Sequence, residues 1–215
     1  MLSELPFGAL LSYTPRPQTD DQKRSKDWNR ALKLEWHVDT PPVPFSQWVA
    51  QRIRARLGSL PFRDCFGPEV TLVPVPSSAL TREGTLWVPL NLARTLLAEG
   101  LAGQVTPCLV RTEALPKAAT SAAAKRPKAA DHYRTLRVQR DLAEPRDILL
   151  VDDVVTRGAT MLGAASRLQE AFPGTRIRGF AAMRTISNPA EFEAIEAPCT
   201  GRITLLGSGG TLRRP

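Results

Sequence analysis

Cysteine and histidine are scarce. Cys65, Cys108 and Cys199 lie far apart with no Cys-x-x-Cys pair, and only His37 and His132 could complete a metal site. These spacings argue against a structural zinc and point to a reducing cytoplasm. Long apolar runs are also missing: no stretch approaches the roughly 20 residues that span a bilayer. The N-terminal "MLSELPFGALLSYTPR" lacks the basic start of a signal peptide, so a soluble, cytoplasmic protein with no membrane partner is expected. No G-x-x-x-x-G-K-[ST] loop occurs, which removes a Walker-type ATPase.

The 215 residues are 42% hydrophobic, enough to close one sizeable core, and a single domain over 1–215 is expected. A net charge of +8 and a pI near 10 permit an anionic partner without naming it. The charge is concentrated. From Arg111 to Arg140, Arg111, Lys117, Lys125, Arg126, Lys128, Arg134, Arg137 and Arg140 stand against Glu113 and Asp131, so 8 − 2 leaves this stretch at +6.

Residues 1–44 are proline-rich and read as an irregular cover, with one short helix in "SKDWNRALKLEW", where Trp28, Ala31, Leu32 and Leu34 only loosely share a face. "FSQWVAQRIRARL" sets Phe45, Trp48, Val49, Ile53 and Leu57 at helical spacing, with Gly58 as its C-cap. "EVTLVPVP" reads as a strand halted by Pro74 and Pro76, "VPLNLARTLLAEGL" as a helix with Pro89 in its first turn, and "VTPCLVR" as a second strand. Residues 113–131 show neither alternation nor an apolar face, which suits a functional lid. A brief strand in "YRTLRVQ" follows. Then come the continuous apolar strand "RDILLV", the amphipathic helix "MLGAASRLQEAF" and the strand "TRIRGFAAMR". Strands alternating with helices predict an α/β fold with a parallel sheet. The tail "GSGGTLRRP" is open between a flexible end and a turn.

The segment "ILLVDDVVTRGATM" carries the chemistry. Its apolar strand ends in Asp152 and Asp153, where loops of a parallel sheet gather their ligands. The carboxylates accept hydrogen bonds from neighbouring hydroxyls, and the turn Thr156, Arg157, Gly158, Ala159, Thr160 offers amides and hydroxyls to a phosphate at a helix N-terminus. Together they suit a ribose 5-phosphate. The plainer alternative is that Asp152 and Asp153 cap the following helix, for which one would suffice. A receiver-type acidic pair would stand near the start of its domain, and a metal cage would need further ligands.

"ILLVDDVVTRGAT" resembles the thirteen-residue phosphoribosyl diphosphate loop of type I phosphoribosyltransferases, with Arg157 at a slot often held by Thr or Ser. "TLVPVPSS" is similar to the diphosphate loop of competence protein F-like and amidophosphoribosyltransferase-like members, and "LLSYTPR" and "ALKLE" loosely echo the segment before it. The N-terminal zinc cysteines of many such proteins are absent.

The resemblance implies a Rossmann-like core over about 45–184, a small hood from 1–44 and 185–215, and a flexible lid over about 113–131. It implies that Asp152 and Asp153 hold the ribose hydroxyls, that residues 156–160 wrap the 5-phosphate, and that Ser77 and Ser78 lie near the leaving diphosphate. Lys117, Lys125, Arg126 and Lys128 would clamp the diphosphate, unless they form a solvated loop. His132 would serve as general acid or base and Tyr133 would stack or donate a hydrogen bond, unless both are hinge packing. Arg184 would approach the acceptor, or be a surface ion-pair partner.

The implied donor is phosphoribosyl diphosphate and the acceptor an unidentified nitrogen compound. The implied cofactor is Mg2+, held through substrate with help from Asp152 and Asp153. A homodimer is compatible with this. Two other classes remain open. One is a non-catalytic sensor of phosphoribosyl diphosphate or a nucleotide. The other is a nucleic-acid surface on the basic stretch, although little aromatic residue is interleaved there.

Overall fold

The computed structural model describes residues 1–38, 42–80, 84–116, 126–139 and 144–215. Its centre is strand β8 (Asp147–Val155), in which Ile148, Leu149, Leu150 and Val151 are all fully buried. Four consecutive apolar residues in extended backbone must face both ways, so the strand needs cover on both sides. Leu149 and Val151 join a core with helices α1 (Asp20–Lys33), α2 (Phe45–Arg56) and α3 (Val88–Ala98). Ile148 and Leu150 join another with α4 (Ala129–Arg134) and α5 (Ala159–Ala171). Each such side chain contributes about 1.5–3 kcal/mol on leaving water.

Strand β8 is flanked by parallel neighbours, β4 (Gly67–Pro74) and β9 (Arg176–Thr185). With β1 (Glu4–Tyr13), β5 (Ala102–Val105), β10 (Glu196–Leu205) and β11 (Thr211–Arg214), they form one sheet of order β11-β10-β1-β9-β8-β4-β5. The run from β1 to β5 is parallel, and β10 and β11 are added antiparallel, while β2 (His37–Val38) and β3 (Val43–Pro44) form a separate short antiparallel pair. This is the expected α/β fold with a Rossmann-like parallel core, extended by extra strands. From β4 the chain crosses to β5 on one side; from β8 it crosses to β9 on the other. The crevice at the carboxyl ends of β4 and β8 is therefore the topological switch point, where open α/β sheets bind ligands.

Several sequence expectations are revised. Residues 1–44 are not an irregular cover: "ELPFGALLSY" is a ten-residue strand buried between β9 and β10. Pro6 does not break it, because pairing to β9 starts only at Phe7 and Pro6 has a single neighbouring strand, β10. The helix in the N-terminal segment starts five residues earlier than "SKDW", where Thr19 and Gln22 cap it reciprocally. Leu34 falls beyond its end and is exposed.

Helix α2 closes not on Gly58 but through a 3-10 turn over Leu57–Ser59. "VTPCLVR" is two strands: β5 in the main sheet, and β6 (Leu109–Arg111) in a small antiparallel pair with β7 (Leu136–Val138). Pro107, which has no amide to donate, lies between them. In "YRTLRVQ" only Leu136–Val138 is strand, Tyr133 and Arg134 ending α4 instead. The tail is a hairpin, closed where the amide of Leu206 donates to the carbonyl of Gly210 at 2.9 Å.

Helices α4 and α5 bring their backbones close together at Gly163. A β-carbon at Gly163 would stand 2.6 Å from the carbonyl oxygen of Ala129, so only glycine allows this approach. That contact brings His132 to the first turn of α5.

Candidate functional site

The strand register brings the predicted loops together. Pro74 pairs with Val151, and the amide of Val75 donates to the carbonyl of Val151 at 2.9 Å. The "VPSS" loop thus leaves β4 beside Asp152. Ser77 is exposed there, its hydroxyl donating to the carbonyl of Ala79 at 3.1 Å, while the carbonyl of Ser78 accepts from the amide of Leu115 at 2.8 Å.

Asp152 and Asp153 do not cap the next helix. The amide of Asp153 donates to Oδ1 of Asp152 at 2.9 Å, and that of Val154 to Oδ1 of Asp153 at 2.8 Å. Both carboxylates are half-buried at the strand end. Burial and the adjacent Asp153 push the carboxyl of Asp152 well above its ordinary range, while Lys33, at the end of α1, draws it back. An acid pair kept at the carboxyl end of a buried strand costs stability, and capping does not account for it.

Helix α5 has Gly158 as N-cap, in left-handed backbone (φ +83°) and with no side-chain cap. The first amides of the helix therefore lack intrahelical acceptors and face outward with the positive end of the helix dipole. Thr156 and Arg157 are exposed, Ala159 and Thr160 half-buried. Gly158 is buried under Ile203 of β10: a β-carbon there would lie 2.5 Å from Ile203 Cδ1.

Arg111, counted in the sequence only as part of the basic stretch, ties the two loops together. It is 3% exposed and has no carboxylate partner among the described residues. Its Nε donates to the carbonyl of Ser77 and its Nη1 to Thr135 Oγ1 at 2.7 Å, while Nη2 lies 3.4 Å from Nδ1 of His132. Burial lowers it to about 10, so it stays charged at neutral pH. His132 is itself buried, and burial together with Arg111 lowers it to about 4. It is therefore neutral near pH 7.

Arginine can only donate, so Nδ1 of His132 accepts and the ring proton sits on Nε2. Nε2 is 3.3 Å from Thr160 Oγ1 and donates to it, leaving the threonine's own hydroxyl hydrogen to be donated onward.

The remaining predicted residues divide. Lys128 donates from Nζ to the carbonyl of Ser208 at 2.8 Å, bracing the C-terminal hairpin. Tyr133 donates to Glu170 at 2.9 Å and lies under the guanidinium of Arg167, 3.9 Å from its ring centre, so its contacts attach α4 to α5. Arg126 is exposed. Lys117 and Lys125 lie outside the described residues.

Arg184 is half-buried at the end of β9, where it pairs with Val155 of β8. Arg213 of β11 reaches the same place: its Nε donates to the carbonyl of Thr156 at 2.7 Å and its Nη2 to that of Thr185 at 2.5 Å. Lys33 and Arg213 are participants the sequence reading left out, and Arg111 entered it only as a charge of the basic stretch. Lys33 lay in the quoted "ALKLE"; Arg213 carried no motif at all.

Among the described residues no group of three or more His, Cys, Asp or Glu side chains is placed to hold a metal ion. No helix there is long and apolar enough to cross a membrane.

No family model matches the chain, and no curated protein matches it. Among solved structures it is similar to adenine phosphoribosyltransferase from Trypanosoma brucei in complex with AMP, pyrophosphate and ribose-5-phosphate. That similarity has 12% identity and a TM-score of 0.38 over 86% of this chain and 92% of that one. Adenine phosphoribosyltransferase from Leishmania tarentolae aligns at 13% identity and TM-score 0.34, over 80% and 82% of the two chains. A hypoxanthine phosphoribosyltransferase from Staphylococcus aureus aligns at 12% and 0.30, over 69% of each. Strand order defines the fold.

Proposed function

We propose that the chain transfers ribose 5-phosphate from phosphoribosyl diphosphate to a nitrogen acceptor, releasing diphosphate. One observation carries this reading. "VDDVVTRGAT" lies at the carboxyl end of β8, with "VPSS" at the carboxyl end of β4 beside it, at the switch point of a parallel sheet.

The outward amides of Ala159 and Thr160, with the Thr160 hydroxyl aimed by His132, cradle the 5-phosphate. Asp152 and Asp153 accept hydrogen bonds from the ribose hydroxyls. Arg111 holds the Ser77 loop and places a buried positive charge behind the diphosphate as its charge grows. The bond from ribose C1 to diphosphate breaks with its electron pair leaving on oxygen, and the acceptor nitrogen attacks the opposite face. The protein's part is to orient the reactants and stabilise charge. His132, neutral and engaged at both nitrogens, positions Thr160 rather than moving a proton.

Two adjacent carboxylates, with no third ligand among the described residues, fit a magnesium ion held mainly by donor oxygens and water. When bound, it would neutralise charge on the departing diphosphate.

Calorimetry with phosphoribosyl diphosphate and Mg2+ tests the reading. Saturable binding is expected, and it should be lost when Asp152→Asn and Asp153→Asn are combined, with the fold retained by circular dichroism. Unchanged affinity in the double variant would overturn the assignment. A panel of bases and amines, read out as released diphosphate, then separates transfer from sensing: binding without release would favour the sensor.

A further inference from the structure

Arg184 and Arg213 stand close together, both beside Cys199, with no acidic partner among the described residues. Arg213 spans the carbonyls of Thr156 and Thr185, the residues that directly follow the register pair Val155 and Arg184, so the two guanidinium groups share one corner at the carboxyl end of the sheet. Neither forms a salt bridge among the described residues.

Nε of Arg184, Nη1 of Arg213 and the hydroxyl of Thr185 are all buried with no hydrogen-bond partner there. Two like charges placed together, each with an N–H withdrawn from water and unmatched, are costly unless an anion completes them. Arg178, at the other end of the same strand, also keeps an unmatched Nε, but its charge is met by Asp147, to which it donates at 2.6 Å; what sets the arginine pair apart is that no carboxylate among the described residues meets either charge.

We propose that Arg184 and Arg213 form an anion subsite for the acceptor, and that the acceptor is a nitrogen compound carrying a planar carboxylate. Its acceptor role rests on the phosphoribosyl-transfer reading above. Each arginine keeps one N–H without a protein partner among the described residues, and a carboxylate has two oxygens to accept them.

Position argues for the acceptor rather than the donor. Arg111 and the Ser77 loop lie on the β4 side of Asp152, and the amides of α5 take the donor's other phosphate. The arginine pair lies on the β9 side, against the carbonyl of Thr156 at the start of the turn and away from the α5 amides that follow it.

Benzoate and benzamide serve as probes, titrated calorimetrically into the full chain. Benzoate should bind saturably and benzamide at least about tenfold more weakly, the worth of a charge-assisted hydrogen bond. Arg184→Gln should weaken benzoate by about 10- to 100-fold, and Arg184→Lys should recover only part of this, since an ammonium lacks the planar fork. Affinity for phosphoribosyl diphosphate with Mg2+ should stay within about threefold in Arg184→Gln.

Equal binding of benzoate and benzamide, or benzoate binding indifferent to Arg184→Gln, overturns the subsite. A tenfold loss of donor affinity in that variant overturns the acceptor assignment and gives the pair to the donor phosphate. If the wild type binds benzoate through Arg184 but does not bind the donor, the transfer reading fails together with the acceptor role, and the carboxylate subsite stands.

Discussion

Nε2 of His132 lies 3.3 Å from the hydroxyl of Thr160, so a buried imidazole on α4 is joined to the first turn of α5. The ring is held down to about 4, against an ordinary 6.5. Between those values the unfolded chain binds a proton that the folded chain does not, so stability falls as pH drops through the window. His132→Gln should be less stable at pH 7 by about 1–3 kcal/mol, and the deficit should shrink near pH 4.5. Thermal melts of both proteins at the two pH values check this; a constant deficit would contradict a buried neutral imidazole.

The carboxyl of Asp152 shows the opposite linkage. Its raised value means that the folded state holds a proton more tightly than the unfolded state, so its contribution is fully present below the ordinary 3.8 and is lost as pH rises through the folded value. Asp152→Asn removes the ionisation while keeping an oxygen to accept from the amide of Asp153. It should raise the melting temperature at pH 7 and converge with wild type at pH 3.5. Donor affinity should nevertheless fall by about tenfold or more. A variant less stable than wild type at pH 7 would contradict the buried-acid account.

Gly158→Ala should cost about 1–3 kcal/mol, because the backbone is left-handed there and the added carbon meets Ile203. Adding Ile203→Ala removes the clash but not the backbone strain, so the double variant should not recover to the level of Ile203→Ala alone. Denaturant unfolding of the four proteins separates the two contributions; full recovery would show that crowding alone mattered.

Arg111→Lys keeps the charge but cannot reach Ser77, Thr135 and His132 together. Its stability should drop by about 1–3 kcal/mol and its affinity for phosphoribosyl diphosphate by about tenfold or more. Inorganic diphosphate, titrated as a competitor, should weaken in parallel. Unaltered diphosphate affinity would confine Arg111 to holding the loop.

The parallel core was legible because its signals are local. "RDILLV" needs two covered faces, and the acidic pair at its end has few plain explanations. Strand β1 was hidden because the proline-rich residues 1–44 read as an irregular cover, whereas Pro6 is tolerated once the pairing to β9 is seen to begin at Phe7. Arg111 was visible only as one charge among eight. That it is buried while Arg126, Lys128, Arg134 and Arg137 are exposed depends on the pairing of β6 with β7 and on α4, which are tertiary events.

What the sequence determined by itself is the α/β alternation and the ribose-and-phosphate pattern of Asp152 to Thr160, since both are set by order along one strand and one turn. Tertiary structure alone decided which charges meet. Arg184 and Arg213 are 29 residues apart in the chain, and a strand beyond β10 brings them to one corner. Lys33 reaches Asp152 across more than half the chain. Such meetings follow from sheet order and register, which local periodicity does not encode.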